Sequence, residues 1–118
     1  AIPPTPGIIR TETFELVDVI NGVSRDRLEG SLRAIYGADI FQDYRFAEIV
    51  YSYPRSPSIP VPDGRRGELR RGDRYGYWIE TAINPDGRIE TGQFTVFLLD
   101  DLDTLNSFLQ ERSPVRSF

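Results

Sequence analysis

The side chains in this sequence best suited to acid–base chemistry are two glutamates, Glu80 and Glu90. The stretches 74–84 and 88–99 have the composition of β-strands and are joined by a short turn. Both carboxylates are therefore expected on the sheet face that carries Trp78, diagonally across a hairpin. Two carboxylates beside an aromatic ring can acquire different pKa values and act as general acid and general base, as a small isomerase or cyclase would require. The alternative that we favour is a water-facing sheet surface with ordinary acidic residues.

The composition removes most other catalytic chemistry. The chain has 118 residues and contains no Cys, His, Met or Lys, so that all 14 basic residues are arginines. Without Cys and His there is no thiolate nucleophile, no imidazole base and no metal site built on either residue. Without Lys there is no Schiff base and no phosphate-loop lysine. We therefore predict no metal and no cofactor, and we favour a protein that is not an enzyme.

The most distinctive charged feature is a group of arginines followed directly by aromatic residues. Five arginines against Glu68 and Asp73 give the segment 65–74 a net charge of +3, so the rest of this chain of net charge −4 carries −7. Arginine binds carboxylates and phosphates through paired hydrogen bonds, and neighbouring aromatic rings can stack on nucleic-acid bases. We predict a partner-binding region here, and its residues are Arg65, Arg66, Arg70, Arg71, Arg74, Tyr75, Tyr77 and Trp78. The alternative is that these arginines pair with acidic residues of this chain or of a neighbouring subunit.

The elements that position these residues follow from periodicity and from turn chemistry. We predict a strand over 11–20, a helix that begins after the N-cap Ser24 and ends at Gly37, a strand over 44–53, the hairpin 74–99, and a last helix capped by Asp100 or Asp101. This order, β-α-β-β-β-α, predicts a single α+β domain. Its antiparallel sheet has about four strands, with two helices packed on one face.

The register of the hairpin decides which side chains share a face. If Asn84 opposes Arg88, Trp78 faces Phe94 and Tyr77 faces Thr95, whereas a bulge would shift this pairing by one residue. The order helix-strand-strand-strand-helix is also that of double-stranded-RNA-binding domains. Such domains resemble one another in a basic cluster at the start of the last helix, where this chain has the acidic residues 100–103. The order alone therefore does not assign the chain to that family.

Three segments lie outside these elements: a proline-rich arm over 1–7, a long loop rich in proline and arginine over 54–73, and a tail over 113–118. A loop of this length in a small domain is usually functional or disordered, and a partner is the natural place to order it. No signal peptide and no run of apolar residues that could span a membrane is visible, which predicts a protein that is cytoplasmic or particle-associated.

We therefore predict a non-enzymatic structural or assembly subunit that forms homo- or hetero-oligomers through protein–protein contacts, as in a phage-type particle or another multi-subunit complex. The first alternative is a nucleic-acid-binding module that uses the arginine group and the aromatic residues after it. The weaker alternative is a small isomerase or cyclase that uses Glu80 and Glu90 together with tyrosine or arginine.

Overall fold

The structure, a computed structural model, describes residues 11–18, 20–53, 64–83 and 86–112, and of Glu90 and Arg112 only the backbone. The predicted arm 1–7, residues 54–63 of the predicted loop and the tail 113–118 lie outside this part of the chain. The elements, in chain order, are β1 (Thr11–Val17), α1 (Arg25–Tyr36), α2 (Ala38–Arg45), β2 (Glu48–Tyr53), β3 (Arg65–Arg71), β4 (Gly76–Ile83), β5 (Ile89–Phe97), a 3-10 turn (Leu99–Asp101) and α3 (Leu102–Arg112). None of the described helices is long and apolar enough to cross a membrane.

The strands form one antiparallel sheet in the order β1-β5-β4-β3-β2. Strands β2 to β5 follow one another as a meander, and α1 and α2 carry the chain from β1 at one edge to β2 at the other. The prediction of an α+β domain with an antiparallel sheet is confirmed. The count of about four strands and two helices is corrected to five strands and three helices.

The strand missing from the prediction is β3, because residues 65–71 were placed in the long loop. Their sequence, Arg-Arg-Gly-Glu-Leu-Arg-Arg, has little intrinsic preference for a strand. The strand is stabilised instead by backbone hydrogen bonds with β2 on one side and β4 on the other. Tertiary context therefore overrides local propensity in this segment.

The helix missing from the prediction is α2, because its last two residues, Tyr44 and Arg45, were assigned to the strand 44–53. Gly37 ends α1 with a φ of 92°, which favours glycine, and α2 begins at the next residue. Its buried residues Ile40 and Tyr44 are one helical turn apart. The N-cap predicted for α1 is confirmed, since the Ser24 hydroxyl accepts a hydrogen bond from the backbone N–H of Arg27 at 3.1 Å.

One face of the sheet, the first face, is covered by α1 and α2. Leu28 and Leu32 of α1 and Tyr44 of α2 are buried there with Phe94 of β5. Close approach of α1 depends on Gly92, because a Cβ at this position would lie 2.8 Å from a methyl group of Leu28. The opposite, second face is covered by α3.

The position of α3 corrects the prediction that the helices share one face. Leu102 and Leu109 of α3 pack with Leu69 and Phe97, which alternation along β3 and β5 directs away from the first face. The apolar stripe of α3 predicts that the helix covers a sheet. Which face it covers depends on the path of the chain after β5.

The hairpin of β4 and β5 is confirmed, but its register differs by one residue from the unbulged pairing. An irregularity between Ala82 and Ile83 brings Trp78 opposite Thr95 and Tyr77 opposite Val96. Residue 90 is the extra residue of a bulge in β5, and a bulge is expected to shift the pairing by one residue.

A single carboxylate, that of Asp43 in α2, holds the turn between β3 and β4. It accepts hydrogen bonds from the backbone N–H groups of Asp73, Arg74 and Tyr75 at 2.8, 3.2 and 3.3 Å, and from the hydroxyl of Tyr77 at 2.6 Å. Burial, and then this hydrogen bond, raise the pKa of Tyr77. Asp43 thus satisfies three backbone donors and ties α2 to the turn.

We expect Asp43→Ala to lower the free energy of unfolding by about 2–4 kcal/mol, because it leaves a buried hydroxyl and several backbone donors without their acceptor. Asp39→Ala, four residues earlier on the same helix and exposed, is the control and should cost less than about 1 kcal/mol, mainly through the helix dipole. Urea unfolding measures both values. Equal losses in the two variants would contradict this role of Asp43.

Candidate functional site

The arginines that were predicted to form one binding region are divided by β3 between the two faces of the sheet. Arg66 and Arg70 lie on the first face, where their cross-strand neighbours are Thr81 and Tyr77. Arg65 and Arg71 lie on the second face, because successive residues of a strand point to opposite sides. Arg71 is within 3.7 Å of Glu48, and both side chains are exposed. The four arginines of β3 therefore do not present one continuous basic surface.

Arg70 is bound inside the molecule. Its Nε donates to Glu68 Oε1 at 2.5 Å, its Nη1 donates to the carbonyl of Tyr44 at 3.0 Å, and its guanidinium lies 4.3 Å from the centre of the Tyr44 ring. Arg25 of α1 donates to the same oxygen of Glu68 at 2.6 Å. One carboxylate therefore joins two arginines from different elements, and two of the three nitrogens of the Arg70 guanidinium donate within the molecule.

The tyrosine hydroxyl between these groups has a shifted pKa. Tyr44 donates to Glu29 Oε2 at 2.6 Å and accepts from Arg25 at 3.2 Å. Burial, followed by the hydrogen bond to Glu29, raises the pKa of Tyr44 to about 12, although Arg25 and Arg70 oppose the shift. Two guanidiniums and two carboxylates make this network neutral, as expected of a structural cluster.

The aromatic residues that follow the arginines are mostly in the core. Tyr75 is 6% and Tyr77 0% exposed, so neither presents a ring face on which a base could stack. Trp78 is half-buried on the second face, where its Nε1 donates to the hydroxyl of Tyr53 at 2.7 Å. That hydroxyl donates to Glu80 Oε2 at 2.5 Å. The structure thus joins Trp78 and Glu80 through Tyr53, a residue that the sequence analysis did not select.

The predicted acid pair of Glu80 and Glu90 stays a prediction, since only the backbone of Glu90 is described. In the observed register Glu80 is opposite Gln93, and the pairing of Ala82 with Thr91 and of Ile83 with Ile89 leaves Glu90 without a cross-strand partner. The side chain of Glu90 lies outside the described part of the structure. The described carboxylate of Glu80 is bound to a tyrosine, which acts as a hydrogen-bond donor to it.

A groove of about 340 Å³ opens on the first face between β2, β3, β4 and the start of α1. Two guanidiniums, two hydroxyls, a carboxylate and an apolar side chain line it. These groups belong to Arg25, Arg66, Ser52, Thr81, Glu68 and Ile79, and Tyr53 and Gly67 complete the lining. We call it the first-face groove.

A second surface lies where α1 and α2 end, and we call it the basic–aromatic patch, formed by Arg33, Phe41, Arg45 and Phe46. The guanidiniums of Arg33 and Arg45 lie 5.7 and 6.0 Å from the centre of the Phe41 ring, and Arg45 is also 6.0 Å from that of Phe46. Phe46 is 81% exposed. Within the described residues neither guanidinium is in an ion pair. These residues were missed because α2 was not recognised, although the spacing of Ile40 and Tyr44 is helical.

The described residues include no group of three or more acidic side chains arranged to hold a metal ion. Comparisons with protein-family models, with curated proteins and with solved structures found no match for this chain.

The pKa of Tyr44 predicts how stability changes in alkali. A hydroxyl whose pKa is raised from 10.0 to about 12 on folding stabilises the fold fully below pH 10, and this contribution is lost as pH rises toward 12. We expect Tyr44→Phe to be less stable overall, because its hydrogen bonds are lost. Between these pH values its free energy of unfolding should fall less steeply than that of the parent chain, by up to about 1.4 kcal/mol per pH unit.

Urea unfolding at several pH values over this range measures the two slopes. Tyr51→Phe is the control, because Tyr51 is a half-buried tyrosine of the edge strand β2 and lies outside the network. Identical slopes for Tyr44→Phe and the parent chain would contradict the raised pKa.

Proposed function

We propose that this chain is a non-enzymatic structural subunit that assembles with further copies of itself through the basic–aromatic patch. The observation that carries the proposal is the exposed ring of Phe46 beside two arginines that have no ion pair among the described residues. Exposed aromatic residues and arginines are the side chains most enriched in the energetic centres of protein interfaces. Helix-end arginines also complement the helix dipole, but that effect does not account for an exposed phenylalanine.

The occupant that we propose for the patch is the acidic turn of a second copy, formed by Asp100, Asp101 and Asp103. All three side chains are exposed, and within the described residues none takes part in an ion pair. Two unpaired guanidiniums on one surface and three unpaired carboxylates on another are complementary between copies. Such complementarity speeds association and sets the orientation of the partners.

The two surfaces belong to different elements. The patch belongs to α1 and α2, which cover the first face, and the acidic turn to the 3-10 turn and the start of α3, which covers the second face. A contact between them is heterologous, because one copy contributes the patch and the next contributes the turn. Heterologous contacts produce closed rings when the rotation between copies closes, and filaments when it does not. This is the geometry expected of a component of a multi-subunit particle.

The alternative functions receive less support from the geometry. For nucleic acid, Tyr75 and Tyr77 are buried and Arg70 is bound to Glu68. For an acid–base enzyme, the carboxylate of Glu80 already accepts a hydrogen bond from the hydroxyl of Tyr53. In the basic–aromatic patch, by contrast, the ring of Phe46 is exposed and the arginines are in no ion pair within the described residues.

Two charge-reversed variants test the proposal. The patch variant, Arg33→Glu with Arg45→Glu, and the turn variant, Asp100→Arg with Asp101→Arg, should each associate at least about tenfold more weakly than the parent chain, because like charges then meet at the contact. When the two variants are mixed, opposite charges meet again at every contact and association should return. Light scattering and native mass spectrometry of the separate and mixed proteins measure this.

The control is Asp26→Arg with Asp39→Arg, which makes the same change in net charge at two other exposed acidic residues of first helical turns. It should associate as the parent chain does. Two results would each reject the proposed contact: mixing that restores nothing, or a control that loses association to the same extent as the turn variant.

A further inference from the structure

We infer that the first-face groove is a binding site for the carboxylate or phosphate group of a small molecule, with Arg66 as its principal anion ligand. This inference is independent of the assembly proposal, because the groove shares no residue with the basic–aromatic patch or the acidic turn. The groove has the size of small-ligand sites in proteins.

The strand register places the hydrogen-bond donors of the groove side by side. Arg66 of β3 is directly opposite Thr81 of β4, and Glu68 is directly opposite Ser52 of β2. Side chains opposite each other in an antiparallel pair emerge from the same face about 5 Å apart. The side chains of Arg66 and Thr81 therefore leave the sheet next to each other, and Ser52, on the neighbouring strand β2, lines the same groove.

The charges around the groove favour an anion. Glu68 Oε1 is already shared by Arg25 and Arg70, and Glu29 accepts from Arg25 and Tyr44. The charged residues that line the groove are Arg25, Arg66 and Glu68, which leaves one net positive charge. Arg66 is exposed and forms no ion pair with any described residue, so its planar group of donors is open to a ligand.

The rest of the lining gives the site depth and orientation. Ile79 is 3% exposed and forms an apolar part of the wall, where water competes less with a bound anion. Arg25, held in place by Glu68 and Glu29, presents a second guanidinium that does not have to be ordered on binding. A planar guanidinium suits two oxygens of one carboxylate or phosphate group, and the hydroxyls of Ser52 and Thr81 are further donors in the lining.

The test is an amide-resolved NMR titration of the full chain with inorganic phosphate and, separately, with acetate, at constant ionic strength. The backbone amides of Ser52, Gly67 and Thr81 should shift and saturate with at least one probe. Saturation with both assigns the shared oxyanion chemistry, and saturation with one identifies which group the site accepts. An absence of saturable shifts with both probes would overturn the inference.

Adjacent arginines of opposite orientation provide the matched control. Arg66→Gln should weaken binding about tenfold or more, whereas Arg65→Gln, with the same charge change on the second face, should leave it unchanged. Thr81→Val, which changes no charge, should weaken binding by a smaller factor. Equal weakening by both arginine substitutions would show a general charge effect and would overturn the inference, while leaving the assembly proposal intact.

Discussion

The carboxylate of Glu68 binds the guanidiniums of Arg25 and Arg70 through the same oxygen, and the packing of the first face depends on this bridge. A carboxylate whose side chain is 11% exposed is costly to bury unless cations and donors surround it. Arg25 links α1 to Glu68 through its ion pair. Arg70 links α2 to Glu68, because its guanidinium also stacks on the ring of Tyr44. Asp43 completes the arrangement by joining α2 to the turn between β3 and β4. Both helices are thus tied to β3 by polar contacts as well as by the apolar core.

Two groups of charged residues differ in their relation to this bridge. Those in the network around it, such as Arg70 and Glu29, neutralise one another and stabilise the fold. Others, such as Arg45 and Arg66, are in no ion pair within the described residues and lie on exposed surface. A charged side chain on an exposed surface has little effect on the stability of the fold, so it can be retained for binding a partner. The proposed assembly contact and the proposed anion site each depend on members of this second group.

Local chemistry was enough to predict part of the fold. Ser24 caps α1 through its own side chain, and the composition of 76–97 indicates a hairpin without reference to the rest of the chain. The elements that were missed depend on distant residues: β3 is a strand because it has two neighbours, and α3 covers the second face because of where β5 ends. The candidate site was harder to predict still. The alternation of β3 separates Arg65 from Arg66, and the burial of Tyr75, which directly follows Arg74, shows that an aromatic residue beside an arginine need not be at the surface.

Sedimentation velocity of the unmodified protein, over a range of concentrations at low and high salt, shows whether exposed surface charges drive assembly of this chain with itself. Contacts between exposed opposite charges are weakened by salt. The account predicts a sedimentation coefficient that rises with protein concentration at low salt and falls back when salt is added. A single coefficient, that of one copy, at every concentration and both salt levels would contradict it.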